Sequence, residues 1–117
     1  MFNFFNLSLR LNGFPIKKAS GELEKILSFS EIEYDNYINQ KKKEIVDYHL
    51  KHNKSYQDFV GKMSFENWEE LPVMTKKEFQ KPLSERLSEG FTPSTVYVNK
   101  TSGSSGDPFI FAKDKYC

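Results

Sequence analysis

The sequence predicts an α+β protein that is mostly helical over residues 1–92 and forms a strand–loop–strand unit over residues 93–117. Two observations lead to this prediction. Apolar residues recur at helical spacing in several segments before Gly90, whereas β-branched and aromatic residues flank a glycine- and serine-rich loop after it. Aromatic residues make up 15% of the chain, which indicates a folded protein, because so many rings need a core or a partner surface to bury them.

The first two elements lie on either side of a break at residues 13–15. Residues 3–12 are rich in Phe and Leu, but their spacing alone does not separate a helix from a strand. Gly13 and Pro15 end the element in either case. Beyond the break, we expect Ser20 to cap a helix that carries Glu22 and Glu24 in its first turn.

The longest predicted helix runs from about Glu31 to about His52. Ser30 precedes it as the N-cap, and Glu33 stands at the position that completes a capping box. The charged residues mostly face away from one apolar side, so this side must dock on something. The apolar side carries Tyr34, Tyr37, Ile38, Ile45 and Tyr48.

Four shorter helical segments are predicted between residues 54 and 90, each with its own start or stop signal. They are residues 56–60 ended by Gly61, a turn capped by Ser64 that carries Trp68, a turn capped by Thr75 with Glu78 in the capping-box position, and residues 84–89 ended by Gly90. Residues 95–98 and 109–112 then suit two strands.

The loop between the two strands reads TSGSSGDP at residues 101–108. Two glycines supply positive φ and room for close approach, and four hydroxyls offer hydrogen-bond donors to an anion. Backbone N–H groups in such a loop can form a nest for phosphate. The candidate binding residues are Thr101, Ser102, Gly103, Ser104, Ser105 and Gly106. The alternative is a flexible turn or linker, since glycine–serine runs are common in linkers.

Two well-known nucleotide loops do not account for this segment. A Walker A loop requires a lysine after its second glycine and then a helix, whereas Asp107 and Pro108 follow Gly106 here. The dinucleotide pattern GxGxxG is also absent from the sequence.

TSGSSGDP resembles the phosphate-binding motif TSG[ST]TGxP of the AMP-forming adenylating enzymes. The order of the other segments is similar to that of the phenylacetate–CoA ligase-like branch, which includes adenylating enzymes of capsular polysaccharide biosynthesis. The segments that carry this similarity are Gly13-Phe14, Gln40, His49, residues 56–59, Trp68 with Leu71-Pro72, Thr75-Lys76 and residues 113–116.

The resemblance implies a cytoplasmic ligase that uses ATP and Mg²⁺ to convert a carboxylic acid into an acyl-adenylate, with a thiol such as coenzyme A or another group as acceptor. It implies that residues 93–117 begin the sheet of a larger α/β adenylating domain. Only residues 101–106 are assigned to ATP. No catalytic and no metal-binding residue is assigned, because in the family those motifs lie further along, so we expect an N-terminal fragment that is inactive alone.

Two departures from the family pattern lie in or beside the loop. Ser105 stands where threonine is usual, which keeps the hydroxyl. Phe109 stands where many acyl-CoA synthetases have a lysine, which agrees with the phenylacetate ligase-like branch and removes one candidate cation for the phosphates.

Charge and composition narrow the classes of partner. The chain has 17 basic and 16 acidic residues and a formal net charge of +1, so we expect no nucleic-acid binding. No apolar run approaches the roughly 20 residues that cross a bilayer, and the N-terminus is not a convincing signal peptide. The single cysteine, Cys117, weakly favours a reducing compartment.

A rival function from another class is a small helical protein-interaction module with a glycine–serine linker tail. Three groups of residues are relevant to the choice between this module and the ligase, but they do not decide it. His49 and His52 share a helix face but make a poor zinc site without a third ligand. Trp68 fits either helix packing or a substrate channel, and the tyrosines of the long helix fit either a core or a binding stripe.

Overall fold

The computed structural model describes residues 3–103 and 106–117. Over these residues the protein is α+β and mostly helical, with five helices followed by one two-stranded antiparallel sheet. At this level the predicted fold class is confirmed. None of the helices in these residues has the length and apolar character that a bilayer crossing requires.

The first element is a helix, α1, at Phe4–Leu11, which settles the ambiguity of residues 3–12. Asn3 caps it, because its side-chain oxygen accepts hydrogen bonds from the N–H groups of Phe5 at 3.0 Å and Asn6 at 3.2 Å. A short side chain at the N-cap satisfies donors that have no partner within the helix. This local stabilisation favours helix over strand.

Helix α2 spans Ile16–Leu27, so the prediction that it begins after Ser20 is wrong. The carbonyl of Pro15 already accepts the first helical hydrogen bond, from Ala19 N–H at 3.0 Å. Proline has a fixed φ and no N–H to leave unpaired, so it starts a helix at little cost. Ser20 therefore lies inside the helix rather than at its end.

Helix α3 spans Glu31–His52, as predicted, and its capping box is formed. The Glu33 carboxylate accepts hydrogen bonds from Ser30 N at 2.9 Å and Ser30 Oγ at 2.7 Å. Helix α4 spans Lys54–Val60 and ends at Gly61, whose φ of 66° is the left-handed conformation that glycine tolerates.

Shorter turns connect α4 to the sheet. Trp68–Glu70 and Glu78–Gln80 are single 3₁₀ turns, and α5 is a short helix at Leu83–Arg86. Thr75 and Glu78 pair as predicted, with Thr75 N donating to the Glu78 carboxylate at 2.6 Å. The first turn is preceded by Asn67 rather than by the predicted Ser64.

The sheet consists of β1 at Tyr97–Lys100 and β2 at Ile110–Lys113. The strands are antiparallel, with Tyr97 opposite Lys113 and Lys100 opposite Ile110. Each strand lies within two residues of its predicted position. The loop of interest therefore closes a hairpin between paired strands.

Burial is sparse in this fold. Among the described residues only Val60, 2% exposed, and Asn53, 6% exposed, are buried. Asn53 joins three segments: its Oδ1 accepts from Tyr56 N at 2.9 Å, and its Nδ2 donates to Arg86 O at 2.9 Å and Ser88 Oγ at 3.0 Å. A buried amide needs such partners, so Asn53 holds α3, α4 and the α5 region together.

Candidate functional site

The ends of the candidate loop are held together by a pair of hydrogen bonds. Thr101 N donates to the carbonyl of Phe109 at 2.9 Å, and Phe109 N donates to Thr101 Oγ1 at 2.9 Å. The first bond continues the ladder of the two strands by one step. The Thr101 hydroxyl accepts here, so its own hydrogen is free to point elsewhere, as in a donor to an anion.

Both loop glycines have positive φ, as the sequence predicts for a tight anion-binding loop. Gly103 has φ of 67° and Gly106 has φ of 111°. Gly106 N donates to the carbonyl of Gly103 at 2.9 Å, which joins the two glycines across the loop. A Cβ on Gly103 would lie 3.0 Å from Pro108 N and 3.2 Å from Pro108 Cα, so a side chain there would press on the loop backbone.

The six predicted site residues are only partly within the described chain. Thr101, Ser102 and Gly106 are exposed and Gly103 is half-buried, so this part of the loop is open to a ligand. Ser104 and Ser105 lie outside the described residues. The two strands thus bring Thr101 beside Phe109 and set Gly103 against Pro108.

The exit of the loop rests on an aromatic cluster. The Phe109 ring contacts Phe79 edge to face at 5.4 Å and stacks on Phe111 at 5.7 Å, measured between ring centroids. The Arg86 guanidinium lies 6.0 Å from the centroid of Phe109. The position after Pro108 therefore carries a ring that packs against Phe79 and Phe111.

Arg86 is a residue that the sequence analysis missed. Its Nη2 donates to the carbonyl of Ile110 at 2.7 Å and its Nε donates to the carbonyl of Lys81 at 2.9 Å. Partial burial lowers the pKa of Arg86 below its ordinary value. Arg86 thereby ties α5 to the first residue of β2, next to the loop. A lone arginine on a four-residue helix carries no sequence signal for this role.

The two histidines have separate partners instead of a common ligand. His49 Nδ1 lies 2.9 Å from the carbonyl of Ile45, and His52 Nδ1 lies 3.3 Å from the carboxylate of Glu89. Over residues 3–103 and 106–117, no group of three His, Cys, Asp or Glu side chains is arranged to hold a metal ion.

Comparisons with protein-family models, with curated proteins and with solved structures found no match to this chain. The resemblance of the loop to adenylating enzymes is carried by its residues alone. What the site can do is therefore inferred from its geometry.

Proposed function

We propose that residues 101–106 bind the polyphosphate of ATP, in the N-terminal part of a cytoplasmic adenylate-forming ligase that activates a carboxylic acid. The observation that carries the proposal is the closed loop. Its ends are joined by two hydrogen bonds between Thr101 and Phe109, and Gly103 lies so close to Pro108 that a side chain at residue 103 would press on the backbone. A linker tail would instead leave the two sides of the loop unpaired.

The chemistry of the loop suits a polyphosphate. Phosphate oxygens accept hydrogen bonds only, so their site needs donors and must keep side chains out of the way. Residues 103 and 106 have no side chains to cover the backbone, and the exposed residues Thr101 and Ser102 carry hydroxyls beside it. The role of such a loop is to hold the β- and γ-phosphates while the α-phosphate reacts and then to release pyrophosphate.

Magnesium enters this proposal only with the nucleotide. The described residues contain no group of three metal-ligating side chains, so we assign no protein ligand for Mg²⁺. A magnesium ion bound to ATP neutralises phosphate charge and stabilises the leaving pyrophosphate. The acyl acceptor, coenzyme A or another nucleophile, is likewise left to other parts of the enzyme.

The exposed apolar surface supports the view that other elements pack on this chain. The accessible surface is 9586 Å², compared with about 6,600 Å² for a compact protein of 13.7 kDa. Exposed large side chains include Val73 at 85% and Phe4 at 78%. Surfaces of this kind are normally covered by another domain or partner.

The proposal is tested by binding of inorganic triphosphate to the 117-residue chain, measured by calorimetry at low salt. We expect saturable binding that weakens as salt is added, because the contacts are electrostatic. Gly103→Val should weaken binding at least tenfold, since the side chain would collide with Pro108. Gly61→Val is the matched control: Gly61 also has positive φ, at 66°, but lies at the end of α4.

Two outcomes would contradict the proposal. The first is triphosphate binding that is absent or that Gly103→Val leaves unchanged. The second concerns catalysis: ATP–pyrophosphate exchange by the 117-residue chain alone would show that no further elements are needed. In a longer protein that contains this chain, we expect exchange that depends on a carboxylic acid and is lost with Gly103→Val.

The exposed helix faces favour a second candidate, a helical protein-interaction module. Ile32 and Leu27 are each 75% exposed on α3 and α2, where a partner helix would dock. The effect of Gly103→Val separates the two candidates. If the loop binds phosphate, the substitution impairs binding of triphosphate or ATP. If the loop is only a connection in an interaction module, the substitution leaves binding of the protein partner unchanged.

A further inference from the structure

A cavity separate from the phosphate loop opens between α3, the start of α4 and residues 68–79. Its volume is about 330 Å³, which is within the range of small-molecule sites. Most of its wall is apolar, and aromatic rings are part of it. The apolar and aromatic lining includes Ile45, Val46, Trp68, Leu71, Met74 and Phe79.

His49 also lines this cavity. Its Nδ1 lies 2.9 Å from the carbonyl of Ile45, and a carbonyl only accepts, so Nδ1 must carry the hydrogen. In the neutral ring the acceptor is then Nε2. Edge-to-face contact with Tyr56, at 5.7 Å between centroids, supports the imidazole from the side.

Arg86 lines the same cavity. Its bonds to the carbonyls of Lys81 and Ile110 use two of the five N–H groups of a guanidinium. Those two bonds also fix the plane of the group. Asn53 lines the cavity as well, but its amide is already engaged by Tyr56, Arg86 and Ser88, so it is part of the wall.

The charges around the cavity favour an uncharged ligand. Glu78 and Arg86 both line it, so an anion would lie near the negative charge of Glu78 and a cation near the positive charge of Arg86. Hydrogen bonds from Thr75 hold the pKa of Glu78 below its ordinary value, which keeps the carboxylate charged.

We propose that this cavity binds a small planar aromatic molecule that carries a neutral amide-type group. The ring packs among Trp68, Met74 and Phe79, the ligand carbonyl accepts from Arg86, and the ligand N–H donates to His49 Nε2. None of the described loop residues, 101–103 and 106, lines this cavity, so it is a site distinct from the proposed phosphate loop.

The test is titration of the 117-residue chain with benzamide. Trp68 lines this cavity and is the only tryptophan of the chain, so the fluorescence signal comes from one residue at the site. We expect a saturable change with a Kd on the order of 1 mM or lower, as for other ligands of this size. His49→Phe should raise the Kd about tenfold by removing the acceptor. His52→Phe is the matched control, since the other histidine of α3 does not line the cavity.

Further ligands and variants separate this inference from rival explanations. Cyclohexanecarboxamide, which lacks the aromatic ring, and benzoate, which is charged, should each bind more weakly than benzamide. His49→Gln retains an acceptor and should bind benzamide more tightly than His49→Phe, which shows that the effect of His49→Phe is not a mere loss of folding.

Gly103→Val should leave benzamide binding unchanged, so failure of this site and failure of the phosphate loop can be told apart. A linear, unsaturable quenching of Trp68, or equal affinity in wild type and His49→Phe, would overturn the inference.

Discussion

Gly103 is the residue whose backbone conformation the loop depends on most directly. Its φ is 67°, and an added Cβ would meet Pro108 N at 3.0 Å. A residue with a side chain in this region loses roughly 1–2 kcal/mol to steric strain before any clash is counted. We therefore expect Gly103→Ala to lower the free energy of unfolding by at least about 1 kcal/mol, measured by urea denaturation.

Gly21 provides the opposite case within the same chain. It lies inside α2, and beyond its own helix backbone no atom of the described residues lies within 4 Å of the position its Cβ would take. Gly21→Ala should raise the free energy of unfolding by about 0.5–1 kcal/mol, because alanine loses less conformational entropy in a helix. If both substitutions had the same sign, the left-handed conformation of Gly103 would not be a constraint on this fold.

At the scale of single residues, the sequence predicts the backbone conformation of the loop glycines better than the contacts that surround the loop. Glycine at positions 103 and 106 indicates positive φ directly, and the structure confirms it. The bond from Phe109 N to Thr101 Oγ1 and the contacts of Arg86 with β2 could not be predicted. They depend on which segments meet in space, and single-sequence patterns carry information only about neighbours along the chain.

At the scale of elements, the start of α3 depends on the ionised form of Glu33. Hydrogen bonds from Ser30 hold the pKa of Glu33 below the ordinary value of 4.5. A carboxyl whose pKa is lower in the folded state stabilises the fold above its unfolded pKa, and this stabilisation is lost as pH falls through the folded pKa. We expect the first turn of α3 to fray on acidification below about pH 4.5, seen as faster amide exchange near Glu33.

Glu33→Gln is the control for this acid effect. A glutamine side chain can still reach back to the N-cap but does not titrate, so its first turn should show no such pH dependence. The same fraying in the glutamine variant would mean that another carboxylate controls the start of α3.

The helix boundaries show which local signals are decisive. Ser30 with Glu33 fixed the start of α3 because both partners of the capping box lie within four residues. The prediction that α2 begins after Ser20 is wrong because serine is tolerated inside a helix that Pro15 has already begun. The turn at Trp68–Glu70 starts after Asn67, whose N–H and side-chain amide both donate toward the Glu70 carboxylate. Ser64 and Asn67 are both able to cap a helical turn. Which of them stands at the start of this turn depends on the path of the chain, not on the residue type.

At the scale of the whole molecule, the chain is more open than its length requires. Its radius of gyration is 17.5 Å, compared with about 13 Å for a compact domain of 117 residues. This openness could not be predicted from composition, since a 38% hydrophobic content is compatible with an ordinary core. It follows from how the helices are arranged, with apolar faces that the described residues leave uncovered.

Exposed apolar faces predict that the isolated chain associates with itself. Burying one large aliphatic side chain contributes about 1.5–3 kcal/mol, so several exposed faces together favour association as concentration rises. We expect sedimentation velocity to show a mass that grows with concentration. Replacing Ile32 and Val73, which are 75% and 85% exposed, by lysine should reduce this growth. Lysine at the exposed polar positions Asn39 and Gln80 adds the same charge and should reduce it less. If both pairs acted equally, repulsion between charges, and not the loss of apolar surface, would be the cause.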